Sequence, residues 1–228
     1  MPCNEFDQLI GEPLSREPRT HSLATDIISG TRGRLEALDA TRHGESLYTA
    51  LERDQDSRHW TYLPYGPFDH LQAYLDWLTE QAASEDPRFF AVVDMTGKAV
   101  GVASYLRDNP ASASVEVGHI RFSSLLQRTV LSTEAMYLMA KRVFDAGYRR
   151  YEWKCDACNA PSRRAAERLG FTFEGIFRQA THYKGRNRDT AWYSMLDSEW
   201  PARRALFEAW LAPSNFDVEG KQRTRLSP

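Results

Sequence analysis

The chain has 228 residues, 42% of them hydrophobic, 12% aromatic and 26% charged. That is enough apolar side chain for one packed core and too little length for two full-sized domains. Its 29 basic and 31 acidic residues leave a formal charge of −2, so no global field draws it to nucleic acid or anionic lipid, and an anion site has to be local. Apolar runs such as Phe89 to Val93 are far short of the roughly 18 residues of a membrane span. The start, Met1-Pro-Cys-Asn-Glu-Phe-Asp7, lacks the basic and apolar regions of a secretory signal, so a cytoplasmic address is expected.

Residues 1 to about 24 carry Pro2, Gly11, Pro13 and Pro18 among charges and are expected to form an irregular arm. The pattern from Ile27 to Leu38 predicts a first strand. Asp39 and the residues after it offer N-caps for a helix running to about Arg53, with Leu47, Tyr48 and Leu51 on its apolar side. Trp60 to His70 is an aromatic loop broken by Pro and Gly, after which Leu71, Tyr74, Leu75 and Leu78 fall at helical spacing. Phe89–Asp94 and Ala99–Leu106 read as a hairpin around Gly97, and Ser114–Phe122 as the next strand. A helix begins near Val130 and stops at Gly147, followed by a strand from Tyr148 to Lys154 and a short helix from Ala160 to Leu169 closed by Gly170. Strands Phe171–Arg178 and Thr190–Met195, separated by the polar segment His182 to Asp189, precede a helix from Glu199 to Leu211 and a polar tail from Pro213. This order of elements is α+β, built around one largely antiparallel sheet.

The stretch best placed for chemistry is Val115-Glu-Val-Gly-His-Ile-Arg-Phe122, running into Ser-Ser-Leu-Leu-Gln-Arg-Thr-Val-Leu-Ser-Thr-Glu134. A helix start leaves unpaired N–H groups and a partial positive charge, so the loop entering it can cradle a pyrophosphate, with Arg128, Thr129, Ser132 and Thr133 as further donors. Ordinary capping by Ser132 or Thr133 accounts for the same hydroxyls.

Downstream, Gly147-Tyr-Arg-Arg-Tyr-Glu-Trp153, Asn159-Ala-Pro-Ser162, Ala166-Glu-Arg-Leu-Gly-Phe171, Phe173-Glu-Gly-Ile-Phe-Arg178 and Gly185-Arg-Asn-Arg-Asp189 follow one another. In that order they resemble the GNAT superfamily of acyl-CoA-dependent N-acyltransferases, particularly the RimJ/RimL type, over about residues 30 to 212. The resemblance implies an acyltransferase domain over 25–212, between an arm (1–24) and a tail (213–228). It implies a mixed, mostly antiparallel sheet flanked by helices and splayed between the 114–122 and 148–154 strands, with acetyl-CoA as co-substrate in the wedge. The family's phosphate motif falls on Gln127, Arg128, Thr129, Val130, Leu131 and Ser132, next to Thr133; Val130 and Ser132 replace its small residues. Backbone groups near Arg121 and Phe122 would hold the thioester carbonyl and Asn159 the pantetheine arm. Ser162 would protonate the leaving thiolate, and Arg163 and Arg164 would meet the nucleotide phosphates.

Transfer to an amine needs a proton acceptor. Glu116 is the first candidate and His119 the second; strand alternation puts them on opposite faces unless a bulge intervenes. Some ribosomal-protein acetyltransferases of this type have a Glu near the position of Thr181, which is followed here by His182. The loop residues Trp60, Tyr62, Tyr65 and Phe68 occupy the family's acceptor-pocket position, as either rigid pocket walls or a plug for the sheet's open edge. The expected acceptor is a small-molecule amine or a peptide N-terminus, attacked directly in a ternary complex, with no metal, nucleic acid or membrane involved and a monomer or homodimer as the assembly.

Three cysteines suit a reducing compartment. Cys155 and Cys158, as Cys-x-x-Cys between a strand and a helix, raise the alternative of a redox dithiol. A further alternative is a protein of this fold that binds a ligand without turnover because Val130 and Ser132 weaken CoA binding.

Overall fold

The computed structural model describes residues 1–14, 17, 20–24, 26–52 and 57–226. Pro18 of the arm, Thr25 at the expected domain start, the helix end at Arg53, and Ser227 and Pro228 of the tail lie outside them. In chain order the elements are β1 (Ile27–Ser29), β2 (Gly33–Ala37), α1 (Ala40–Glu52), α2 (Leu71–Ala82), β3 (Arg88–Asp94), β4 (Ala99–Asn109), β5 (Ser114–Phe122), α3 (Val130–Asp145), β6 (Arg150–Asp156), α4 (Ala160–Arg168), β7 (Thr172–Tyr183), β8 (Arg186–Leu196) and α5 (Trp200–Leu211). The eight strands form one sheet in the order β1-β2-β3-β4-β5-β6-β8-β7. Every pair is antiparallel except β5 and β6.

The central strand β3 shows how the layers are stacked. Its apolar run is buried along its whole length because both faces are covered. Phe89, Ala91 and Val93 pack with Leu47, Tyr74 and Leu78 of α1 and α2. Phe90 and Val92 alternate to the other face, in a core that includes Met139 and Val143 of α3 and Phe207 of α5. No helix among the described residues is long and apolar enough to cross a membrane.

The single strand expected from Ile27 to Leu38 is two, β1 and β2, and the reason lies in α3. The buried carboxylate of Glu134 accepts hydrogen bonds from the Thr31 N–H (2.9 Å), the Thr31 hydroxyl (2.6 Å) and the Arg32 N–H (2.8 Å). The donors of this turn thus go to a helix instead of the sheet. Gly33 then passes so close to β3 that a Cβ would meet the Val93 carbonyl oxygen at 2.5 Å.

At the other end, β7 and β8 are longer than expected. The polar segment His182–Asp189 is the tip of their hairpin, closed at Lys184-Gly185, where both residues have positive φ. The tail is also ordered. A short 3₁₀ turn, Pro213–Asn215, leads to Phe216, which bridges to Gln222, and Leu226 is buried. Asn215 organises this segment by donating to the Trp210 and Thr224 carbonyls and accepting from the Thr224 N–H.

Candidate active site

The parallel pair β5 and β6 is in register only from Ser114↔Arg150 to Val117↔Trp153. Beyond Val117 the two strands part, and two cavities meet at the opening. One, of about 690 Å³, extends between the start of α3, α4 and the tail. The other, of about 550 Å³, lies under the loop after α1 and beside the β7–β8 hairpin. Ile120, Trp153, Asn159 and Ser162 line both.

The larger cavity begins at the loop from Ser123 to Thr129. Ser123 anchors it by donating to the Val100 carbonyl, and the Gln127 side chain donates to the Phe122 carbonyl. The left-handed residue of this loop is Arg128 (φ 62°), whereas Val130 is already the first residue of α3. A branched side chain at 130 therefore meets no backbone conflict, since φ stays negative in a helix. Thr129 caps the helix by accepting from the Ser132 N–H, so capping and cavity lining coexist in one turn. Asn159 does the same for α4: its side chain accepts from the Ser162 N–H at 3.1 Å while facing the opening. The Ser162 hydroxyl in turn accepts from the Trp153 indole N–H at 3.1 Å.

Phe122, Gln127, Arg128, Thr129, Val130, Ser132, Thr133, Asn159 and Ser162 thus border this cavity as expected. Four residues do not. Arg164 is exposed and borders neither cavity. Leu131 packs on Gly33 of β2. Arg121 is buried, donating to the Phe122 carbonyl with its guanidinium 5.0 Å from the Trp60 ring centre. Arg163 turns to the other side of α4, where it donates to the Tyr193 hydroxyl and covers the Phe173 ring. The side of α4 that faces the cavity carries Pro161, Ala165 and Arg168, a spacing of four and then three residues that makes one helical stripe and leaves Arg163 off it. Arg168, absent from the sequence reading, donates to the Thr133 hydroxyl, lies over the Trp210 ring and forms no ion pair among the described residues. The tail supplies Phe216, Gly220 and Gln222 to the same wall.

The smaller cavity owes its chemistry to a bulge in β5. Ser104 of β4 pairs with Gly118 but Val102 pairs with Arg121, so one extra residue is accommodated on β5, and His119 takes φ 51°. Glu116 and His119 consequently reach the same cavity. Their surroundings differ. The Glu116 carboxylate, on 4% exposed Glu116, is held by Arg107 and by Lys154 Nζ (3.0 Å), and Lys154 also pairs with Glu152 (2.7 Å). His119 stacks on Tyr65 and has Nδ1 3.2 Å from the Tyr65 hydroxyl. Burial, assisted by the charges of Arg107 and Arg188, holds the imidazole down to a pKa of about 4, so it is neutral at pH 7.

Of the aromatic loop, Tyr62 lines this cavity and donates to the Cys158 carbonyl, and His182 lines it from β7. Trp60, Tyr65 and Phe68 instead form a ring cluster with Tyr74 and Trp77 of α2. Lys184 donates to the Trp60 and Tyr65 carbonyls and Arg186 to that of Thr61, so the hairpin tip grips this loop and roofs the cavity. Cys155 is buried and Cys158 exposed, both as free thiols. Burial raises the Cys155 thiol pKa, the opposite of what a redox dithiol requires.

Residues 32–172 match the family model of the acetyltransferase (GNAT) domain. A GCN5-related N-acetyltransferase from Brucella melitensis is 45% identical, with a TM-score of 0.90 over 93% of this chain and 97% of its own. The chain belongs to the GNAT acetyltransferase family. A GNAT-family probable acetyltransferase from Chromobacterium violaceum is 40% identical, with a TM-score of 0.78 over 85% of this chain and 98% of that one. The microcin C7 self-immunity acetyltransferase MccE, solved with acetyl-CoA and AMP, shares the fold at 20% identity and a TM-score of 0.64, over 73% of this chain and 93% of its own. No curated protein matches significantly.

For this acetyltransferase the fit to acetyl-CoA can be judged on the chain's own groups. The larger cavity offers a helix N-terminus together with Arg168, a guanidinium with no carboxylate partner among the described residues. That donor set suits a diphosphate, and the junction that Trp153 and Ser162 line on both sides suits a pantetheine thioester.

Proposed function

We propose that the protein moves an acetyl group from acetyl-CoA to the amino group of an acceptor held in the smaller cavity. The observation that carries this reading is the parting of β5 and β6, with two cavities that meet where Asn159 and Ser162 stand. The acceptor ammonium first gives up one proton to solvent; the free amine nitrogen attacks the thioester carbonyl carbon, the carbon–nitrogen bond forms, the carbon–sulfur bond breaks, and a second proton leaves the nitrogen while one is given to the sulfur.

We assign the proton acceptor to His119. Glu116 has its carboxylate engaged in ion pairs with Arg107 and Lys154, whereas His119 stands in no ion pair among the described residues. In the base role the imidazole carries its proton on Nδ1, donates it to the Tyr65 hydroxyl, and offers the lone pair of Nε2. Ser162 gives a proton to the departing thiolate. The motifs from Asn159 to Asp189 support the RimJ/RimL type, the acceptor being a small-molecule amine or a peptide N-terminus. The near-neutral charge supports an acceptor other than nucleic acid or membrane, and the cysteine usage a cytoplasmic enzyme, as monomer or homodimer.

Titration of thiol released from acetyl-CoA across a panel of amines, amino acids and peptides tests this reading, with release expected for at least one acceptor class. A flat trace across the panel, together with no CoA binding by calorimetry, overturns it.

A further inference from the structure

We propose that the acceptor is an amino acid, or a small molecule like one with an amine and a carboxylate a few bonds apart, and that Arg188 and Trp192 receive the carboxylate. This inference rests on the acetyl-transfer reading above and narrows its acceptor.

The argument starts from the charges around the smaller cavity. Arg107, Glu116, Lys154 and Glu152 neutralise one another in a chain of ion pairs that Arg150 extends to Glu174. Asp156 accepts from the Tyr183 hydroxyl and from the Cys158 N–H, both at 2.8 Å. One cation is left over. Arg188 of β8 lines the cavity, forms no ion pair with any described carboxylate, and has a buried Nε without a hydrogen-bond partner; its guanidinium lies 5.9 Å from the Tyr183 ring centre.

Four residues further along the same face of β8, Trp192 also lines the cavity. Its indole Nε1 is buried and unpartnered, and its ring is covered by Lys154 Nζ at 3.7 Å. Buried donors in native proteins find acceptors, and among small ligands a carboxylate is the planar anion that a guanidinium fork matches best. Cofactor phosphates do not answer this need, since Arg188 and Trp192 border the acceptor cavity alone.

The amine end follows from proximity. Burial, then Arg107, then Arg188 hold the His119 imidazole neutral, so the unpaired guanidinium lies within electrostatic reach of the proposed base. A carboxylate seated on Arg188 has its own amine close to His119 only if the two groups belong to one compact molecule. The Asp156 carboxylate, which forms no ion pair with Arg188, provides negative charge in the same cavity for the incoming ammonium. A cavity of about 550 Å³ falls in the roughly 300–1,000 Å³ range of small-molecule sites. A peptide N-terminus, whose neighbouring carbonyl is an amide, leaves Arg188 without its anion.

The experiment compares free amino acids with their carboxamides as acceptors for wild type, Arg188→Ala, Arg188→Lys and Trp192→Phe. Wild type is expected to favour the acid over the amide at least tenfold in kcat/KM. Arg188→Ala should bring that ratio close to one, mainly through KM, with the acetyl-CoA Kd within twofold of wild type. Arg188→Lys should recover part of the preference, and Trp192→Phe should lose several-fold. Equal use of acid and amide by wild type, or a preference that survives Arg188→Ala, overturns the inference while leaving acetyl transfer intact. Calorimetry with N-acetyl amino acids and N-acetyl amino acid amides decides the same question without turnover: binding of the acids that depends on Arg188 supports the site, and equal or absent binding of both sets overturns it. Failure of the acetyl-transfer reading shows separately, as no thiol release with any acceptor.

Discussion

His119 is the side chain whose protonation should govern the acid limb of the reaction. Its folded-state pKa of about 4 lies below the ordinary 6.5, so the neutral form persists down through pH 5, and the loss of kcat that belongs to this base should come only as pH drops through about 4. The same shift has a stability cost of definite sign: below pH 6.5 the unfolded chain takes up a proton that the folded chain refuses, so this residue's contribution declines from pH 6.5 and levels off near pH 4. His119→Gln should lower kcat by about 10²–10⁴-fold and flatten that part of the stability profile, measured by urea unfolding between pH 4 and 7. At position 130 the expectation is a null gain. Because Val130 is inside α3 and the left-handed residue is Arg128, Val130→Gly should leave CoA affinity within twofold by calorimetry and cost the helix about half a kcal/mol. Residue identities here were largely legible in the sequence: Glu116, His119, Asn159, Ser162 and the 127–133 segment apart from Leu131 all reach the opening. What alternation could not supply was the bulge, which is set by how β4 pairs with β5 and not by any residue of β5 alone. The directions of the Arg163 and Arg121 side chains depend likewise on partners, the Tyr193 hydroxyl and the Trp60 ring, that lie far away in the chain.

Among the elements, the β1–β2 corner shows how one helix residue can interrupt a strand. Removing the Glu134 carboxylate leaves the Thr31 N–H and hydroxyl and the Arg32 N–H without their acceptor, so Glu134→Ala should destabilise by about 3 kcal/mol. In a chain of this size that is roughly a 10 °C fall in Tm by differential scanning calorimetry. A fall of less than about 1 kcal/mol would mean the turn is satisfied by water. Helices and hairpins were readable from their periodicity and turn residues because those signals are local. The 27–38 stretch has the pattern of one strand, and its interruption comes from a carboxylate about a hundred residues away. The segment after Pro213 carries no repeating apolar pattern, because its ordering depends on a single Asn215 hub and on Phe216.

For the molecule as a whole, the tail joins the last residues of the chain to the proposed cofactor site. CoA at a hundredfold over its Kd should add about 2.7 kcal/mol to folding stability, seen as a rise of roughly 5–10 °C in Tm. Phe216→Ala should shrink that rise at fixed CoA concentration, since it opens the wall the tail provides; an unchanged rise would confine the tail to a structural part. The fold class and the parting of β5 and β6 were accessible beforehand because the order of strands, helices and motifs encodes topology. The occupancy of the smaller cavity by a row of ion pairs was not, since those pairs form between strands whose register no single segment reveals. That parting also has a kinetic corollary. Trp153 is a partition with a different guest expected on each side, so desacetylated CoA should compete only with acetyl-CoA for its berth. Against varied acceptor, double-reciprocal plots should change intercept as well as slope, the signature of two reactants that never contend for one seat.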